Sequence, residues 1–275
     1  MILEENEKKI SILEEELLSL DPSDERAIEL KKELKALKKE TYSNLSAWDR
    51  VLIARSEKRI KSKALIDKLI TNFIELHGDQ YYSDDQSIIA GLGFLGEMPI
   101  TVLAQAKGEN LNDNLKRNFG MTSPEGFRKT LRLAKEAEKF HRPILTIVDT
   151  SGAYPGKGAE ERGQARAIAE NLYEFSKLKT PVICIILSEG GSGGALALTV
   201  SDYIYMFENA VYSILSPEGF ASILWKDESR VKEAAEAMKL TAQDLLEKGI
   251  IDAMISEPSK DIKENKYLRG GAFIP

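Results

Sequence analysis

Two glycine-rich segments carry the chemical interest of this 275-residue sequence. Gly152-Ala153-Tyr154-Pro155-Gly156-Lys157-Gly158 follows an apolar run at 144–148, and Gly190-Gly191-Ser192-Gly193-Gly194 follows another at 182–187. Segments so poor in side chains leave backbone N–H groups uncovered, and glycine lets a ligand approach them closely. Such donors, in a turn or at a helix N-terminus, stabilise negative charge developing on a carbonyl oxygen. An oxyanion hole of this kind suits enolate chemistry on a thioester, where polarising the oxygen makes the α-carbon acidic and no nucleophile is needed. One such turn on its own reads as plain chain reversal; two, one strand–helix–strand unit apart, favour a site.

Other glycine chemistries fit less well. A phosphate-binding P-loop needs four residues between its glycines and Ser or Thr after its Lys; here the spacer is three and Gly158 follows Lys157. No segment reads G-x-G-x-x-G after a strand. Gly190–Gly194 does match the G-x-S-x-G of a hydrolase elbow, which requires a histidine beside Ser192. The only histidines are His77, expected in a helix with no orienting acid, and His141, expected roughly 20 Å away at the other end of a strand.

The elements that must position these loops follow from periodicity. The two apolar runs have strand length, and between them Ala165, Ile168, Leu172 and Phe175 share a helical face. Strand, helix and strand read as a parallel βαβ unit, whose loops both leave the carboxyl edge of the sheet. Upstream, leucines at spacings of three, four and seven predict a helical hairpin over 1–40, broken at Asp21-Pro22-Ser23, with an apolar stripe that needs a partner. Residues 44–76 read as further helix, 88–94 and 100–104 as paired strands, and 107–124 as a long loop. Downstream come strands near 203–207, 211–215 and 250–255, with a short helix opened by Pro217 and two more at 228–239 and 241–248. The organisation expected is a hairpin at 1–40, a main domain at 41–257 and a loosely held tail at 258–275.

The run NFGMTSPEGFRKTLRLAKEAEKFHRPILTIVDTSGAYPGKGAEERGQARAIAENL, with EGGSGGALAL and YSILSPEGFASILW, resembles the α subunits of bacterial acetyl-coenzyme A carboxylase carboxyltransferase. The resemblance spans roughly 40–255. It implies an α/β fold of the ClpP/crotonase type, built of stacked ββα units behind the N-terminal hairpin. It also implies transfer of a carboxyl group from carboxybiotin, borne by a biotin carboxyl carrier protein and not held covalently here, to acetyl-CoA, giving malonyl-CoA for fatty-acid synthesis. The expected partner is a β subunit bearing the zinc ribbon, in an α2β2 complex, with no metal site in this chain. In the family, amides stabilise both the biotin ureido oxygen and the thioester enolate, and decarboxylated biotin removes the α-proton. The matching positions are Gly193 and Gly194, with Gly152, Ala153, Gly156 and Lys157 as further N–H candidates. Lys116, Arg117, Arg128 and Lys129 are candidate contacts for CoA phosphates, and Tyr154 and Phe220 for the biotin slot. Ser151 stands where the family motif usually has proline, a change that removes no amide donor.

Composition bounds the rest. A net charge of −6 with mixed signs gives no footprint of nucleic-acid binding. The single cysteine, Cys184, lies in an apolar run and is expected to be a buried thiol. No apolar run approaches the roughly 20 residues of a membrane span, and a cytoplasmic setting is expected. Two rival readings stay open: a crotonase-type hydratase or isomerase using Glu160, Glu161 or Glu189, and a non-catalytic assembly subunit.

Overall fold

The structure, a computed structural model, describes residues 2–21 and 23–257; Pro22 and the tail expected from 258 lie outside the described residues. Helices α1 (Ile2–Ser19) and α2 (Glu25–Ser43) form the expected hairpin. The second helix starts three residues beyond Pro22, because the Asp24 carboxylate caps it by accepting from the Arg26 amide at 2.9 Å. Ile10, Ala27 and Leu30 are fully buried, whereas Ile12, Leu18 and Ile28 stay exposed.

Helices α3 (Ala47–Arg55), opened by a Ser46/Asp49 capping box, and α4 (Ser62–Leu69) follow. The helix expected to continue to residue 76 instead becomes strand β1 (Ile70–Glu75). Ile70, Thr71, Phe73 and Ile74 are β-branched or aromatic, and pairing with a neighbouring strand outweighs the helical period behind them. A bulge with Asn72 at φ +52° interrupts that pairing between Thr71 and Ile74. Strands β2 (Ile88–Leu95) and β3 (Met98–Gln105) form the predicted hairpin about Gly96, whose φ of +62° suits glycine. The stretch read as loop holds a short helix, α5 (Leu111–Lys116), and a 3₁₀ turn at Asn118–Gly120.

Helix α6 (Pro124–Lys139) leads to β4 (Ile144–Thr150), all seven residues of which are buried. A strand covered on both faces needs a continuous apolar run rather than an alternating one. Then come α7 (Lys157–Glu161), α8 (Gln164–Phe175), β5 (Val182–Gly191), α9 (Ser192–Thr199) and β6 (Tyr203–Phe207). On α8 the buried stripe is Gln164, Ala167, Asn171 and Phe175; Ala165, placed on that face by its spacing, is exposed. Strand β7 (Val211–Ser213), α10 (Pro217–Phe220) with a π-helical turn at Ala221–Trp225, α11 (Val231–Met238), α12 (Ala242–Glu247) and β8 (Ala253–Ile255) complete the chain.

The sheet runs β1-β2-β3-β4-β5-β6-β8, with β7 joined to the far end of β5. Its first three strands are antiparallel neighbours and the rest pair in parallel. The main core, built around the parallel part, includes Leu103, Phe127, Ile147 and Ile186, and Val51, Ala54, Val211 and Leu240 form a smaller one. Cys184 sits in that core, and burial pushes its thiol up to about 12.

Candidate active site

The register of the two central strands brings the glycine loops together. Ile147 of β4 lies beside Ile185 of β5, and Thr150 beside Gly190, so both chains leave the same sheet edge side by side. They then pack backbone on backbone. A Cβ on Gly191 would collide with the Ser151 carbonyl, and one on Gly194 with the Ala153 amide nitrogen and the Gly152 carbonyl. These two glycines are therefore required by the contact itself. Gly193 differs: its Cβ would meet only Ile168 side-chain carbons, at 3.7 and 3.8 Å.

Gly193 and Gly194 lie in the first turn of α9, where amides have no carbonyl one turn back, and the Gly191 cap brings no side chain to them. The N-terminal end of the helix macrodipole adds to the positive potential there. In the other loop the Gly152 amide is committed internally, donating to Thr150 Oγ1 at 3.1 Å. That corrects its place among the candidate donors. The Tyr154 amide binds the Thr122 carbonyl at 3.0 Å, and the tyrosine ring lies over Gly156, which caps α7 ahead of Lys157. Buried Gln164 donates to both the Thr122 and Tyr154 carbonyls, at 2.8 and 2.9 Å, clamping this loop onto the start of α6.

Beneath the loops lies an ion cluster that sequence reasoning missed. Lys107, just beyond β3, places Nζ 3.1 Å from Asp149 of β4 and 2.7 Å from Glu189 of β5. Arg55 of α3 binds Glu189 at 2.7 Å and Glu218 of α10 at 2.6 Å, tying the helix that carries Phe220 to the end of β5. Burial opposes the Glu189 charge, but Lys107 and Arg55 outweigh it and hold its carboxyl below the usual glutamate range. The only signal in the sequence was one charged residue at the end of each of three apolar runs.

This arrangement bears on the rival readings. A general acid–base needs a pKa near the working pH; Glu189 is held away from it, and Glu160 and Glu161 are exposed. Ser192 does sit at a strained turn, with φ +53°. His77, however, lies in the loop after β1 rather than in a helix, with Nδ1 3.1 Å from Asp84, which does orient it. Four strand spacings of roughly 4.8 Å separate β1 from β5, about 19 Å in all. His141 precedes β4 at the opposite sheet edge. Neither histidine reaches Ser192.

The phosphate candidates divide. Lys129 is fully buried, its Nζ 2.8 Å from Asp84 and 2.9 Å from the Ile88 carbonyl, so no ligand phosphate reaches it. Arg128 is held by Asp79 at 2.8 Å and Glu125 at 3.3 Å, and Arg117 by Asp113 and the Gln86 carbonyl. Lys116 is exposed on α5. Phe220 is half-buried, edge-on to Trp225 with centroids 5.1 Å apart.

Comparison with known proteins agrees with this geometry. Residues 2–269 match the family described as acetyl co-enzyme A carboxylase carboxyltransferase-like. The chain belongs to that family. It is 60% identical over 220 residues to an acetyl-coenzyme A carboxylase carboxyl transferase subunit alpha of Clostridium botulinum, covering 80% of each chain. It is 50% identical over 272 residues to the subunit of the same name from Anoxybacillus flavithermus, covering 98% of this chain and 80% of the relative. A fused "subunits beta/alpha" protein of Natranaerobius thermophilus is 58% identical over 221 residues, which are 80% of this chain and 36% of that one. Among solved structures, transcarboxylase 12S superposes with a TM-score of 0.63 at 18% identity, over 76% of this chain and 41% of that one. The β subunit of Pseudomonas aeruginosa geranyl-CoA carboxylase gives 0.61 at 13% identity, over 79% and 42%. At such identities these two establish the fold, which is the crotonase-like carboxyltransferase fold. Membership in the family makes the chain part of a biotin-dependent carboxyltransferase that forms malonyl-CoA.

Proposed function

We propose that this chain is the biotin-facing half of the acetyl-CoA carboxyltransferase, completed by a β subunit in an α2β2 complex and acting in the cytoplasm. The observation that carries the reading is the backbone contact between the two glycine loops, which holds the first turn of α9 beside the Gly152–Ala153 backbone at the carboxyl edge of the sheet. Biotin on its carrier protein supplies, when bound, the carboxyl group and afterwards a base. This chain's own part is to bind and polarise. Gly193 and Gly194 donate N–H to the oxygen that gains charge, Ala153 and the Gly156–Lys157 turn border the same space, and Tyr154 and Phe220 wall the slot. The buried ions hold the strand ends in register and stay off the reacting atoms. The acetyl-CoA pocket comes mostly from the partner, with Lys116 as the exposed cation of this chain that meets a CoA phosphate. Among the described residues no helix is long and apolar enough to cross a membrane.

The test is malonyl-CoA decarboxylation with free biotin, by this chain, by its β partner and by the mixture; only the mixture turns over. Activity of this chain alone on an enoyl-CoA would return the hydratase reading. Ser192→Ala in the mixture keeps its rate within about threefold of wild type, whereas removing a true nucleophile costs about 10⁶.

A further inference from the structure

We propose that the groove between α6 and α8 is a second, anion-binding site that takes a phosphate-bearing molecule of nucleotide size. The groove encloses a cavity of about 770 Å³, within the roughly 300–1,000 Å³ common for small-molecule sites. Both helices begin at the carboxyl edge of the sheet, so their positive ends meet at one end of the groove. Gly163 caps α8 with φ +84° and no side chain over its first amides. Arg128, Arg132, Arg162 and Arg166 line that end.

Three of these arginines have acid partners, in Asp79, Glu125 and Glu170. Arg132 has none among the described residues. One of its Nη atoms donates to the His77 and Gly78 carbonyls, at 3.2 and 2.9 Å, while its Nε is buried with no acceptor at all. No carboxylate among the described residues balances the Arg132 guanidinium, so its charge is left for an anion from outside the chain. Arginine forks match phosphate oxygens in pairs. Tyr81, 87% exposed on the rim of the same cavity, offers a free ring for a planar base to stack on. Lys135 pairs with Glu174 and Arg166 with Glu170, which leaves Arg132 as the arginine of the groove without a carboxylate partner among the described residues.

The site rests on the groove alone and not on the carboxyl-transfer reading. Its test is calorimetric titration of the isolated full chain with ADP at low ionic strength, which leaves the catalytic assay untouched. Wild type binds ADP; Arg132→Gln weakens binding about tenfold or more, the loss expected for a charged hydrogen bond. Arg166→Ala, whose side chain is 83% exposed and whose removal spares the fold, also weakens it. Gly193→Val leaves it unchanged. Two sources share this chemistry, the tail of CoA and a free nucleotide. If the tail occupies the groove, CoA displaces ADP and Arg132→Gln raises the KM for acetyl-CoA in the α–β mixture with kcat intact. If the ligand is a free nucleotide, CoA leaves ADP in place and the KM does not move. No ADP binding by wild type, or equal binding by wild type and both arginine variants, overturns the proposal.

Discussion

With the β partner present, Gly193→Val lowers biotin-dependent malonyl-CoA decarboxylation about a hundredfold or more, yet leaves the unfolding midpoint within about 2 °C of wild type. The two halves of this expectation come from one contrast. At Gly193 a Cβ meets nothing closer than the Ile168 side chain at 3.7 Å, so the fold accepts a larger residue. The same position stands in the first turn of α9, which no side chain caps, so a valine there crowds the amides that a bound oxygen must approach. A displacement of about 1 Å from productive geometry is enough for a loss of this size. Gly194→Ala behaves otherwise. Its single methyl collides with the Ala153 nitrogen and the Gly152 carbonyl, so it loses activity and stability together. A Gly193→Val protein that turned over normally, with its fold shown intact by circular dichroism, would remove these amides from the mechanism.

The contrast between neighbouring glycines also marks where reading the sequence stopped. That the two loops would meet was legible, because 144–148 and 182–187 are continuous apolar runs and such runs make buried parallel strands. Which glycine serves packing and which serves a ligand was not, since both look alike until a Cβ is placed on each. Lys129 shows the same limit from the other side. A lysine beside Arg128 on an amphipathic helix reads as solvated, but its partner Asp84 lies in a loop 45 residues away and draws it fully under the surface. Strand β1 was hidden because its pairing with β2, and not its own period, decides its shape. The ion cluster joins residues separated by as many as 163 positions, a closeness that only the folded chain, with β3, β4 and β5 in register, creates.

That cluster carries the largest expected effect on stability. Lys107→Met keeps the length of the side chain and removes its charge, leaving Asp149, 1% exposed, without its cation and Glu189 with Arg55 alone. Breaking a buried pair in this way costs about 3–5 kcal/mol, because the abandoned carboxylates keep their desolvation penalty without its compensation. For a chain of this size each kcal/mol moves the unfolding midpoint by roughly 2–4 °C, so a fall of about 6–20 °C is expected at pH 7. The pH dependence follows from the direction of each shift. Glu189 titrates lower in the folded chain than in the unfolded one, so its contribution is complete above the ordinary glutamate value and fades as pH falls through the folded value. Lys107 is buried, which disfavours its charge, but Asp149 and Glu189 more than offset that and raise it; its contribution holds below the ordinary lysine value and is lost only as pH climbs past the folded one. The gap between wild type and Lys107→Met is therefore widest from roughly pH 5 to 10 and narrows on acidification. Thermal melts of both proteins across that range test it, and a gap that widened below pH 4 would show that the lysine does not hold these strand ends together.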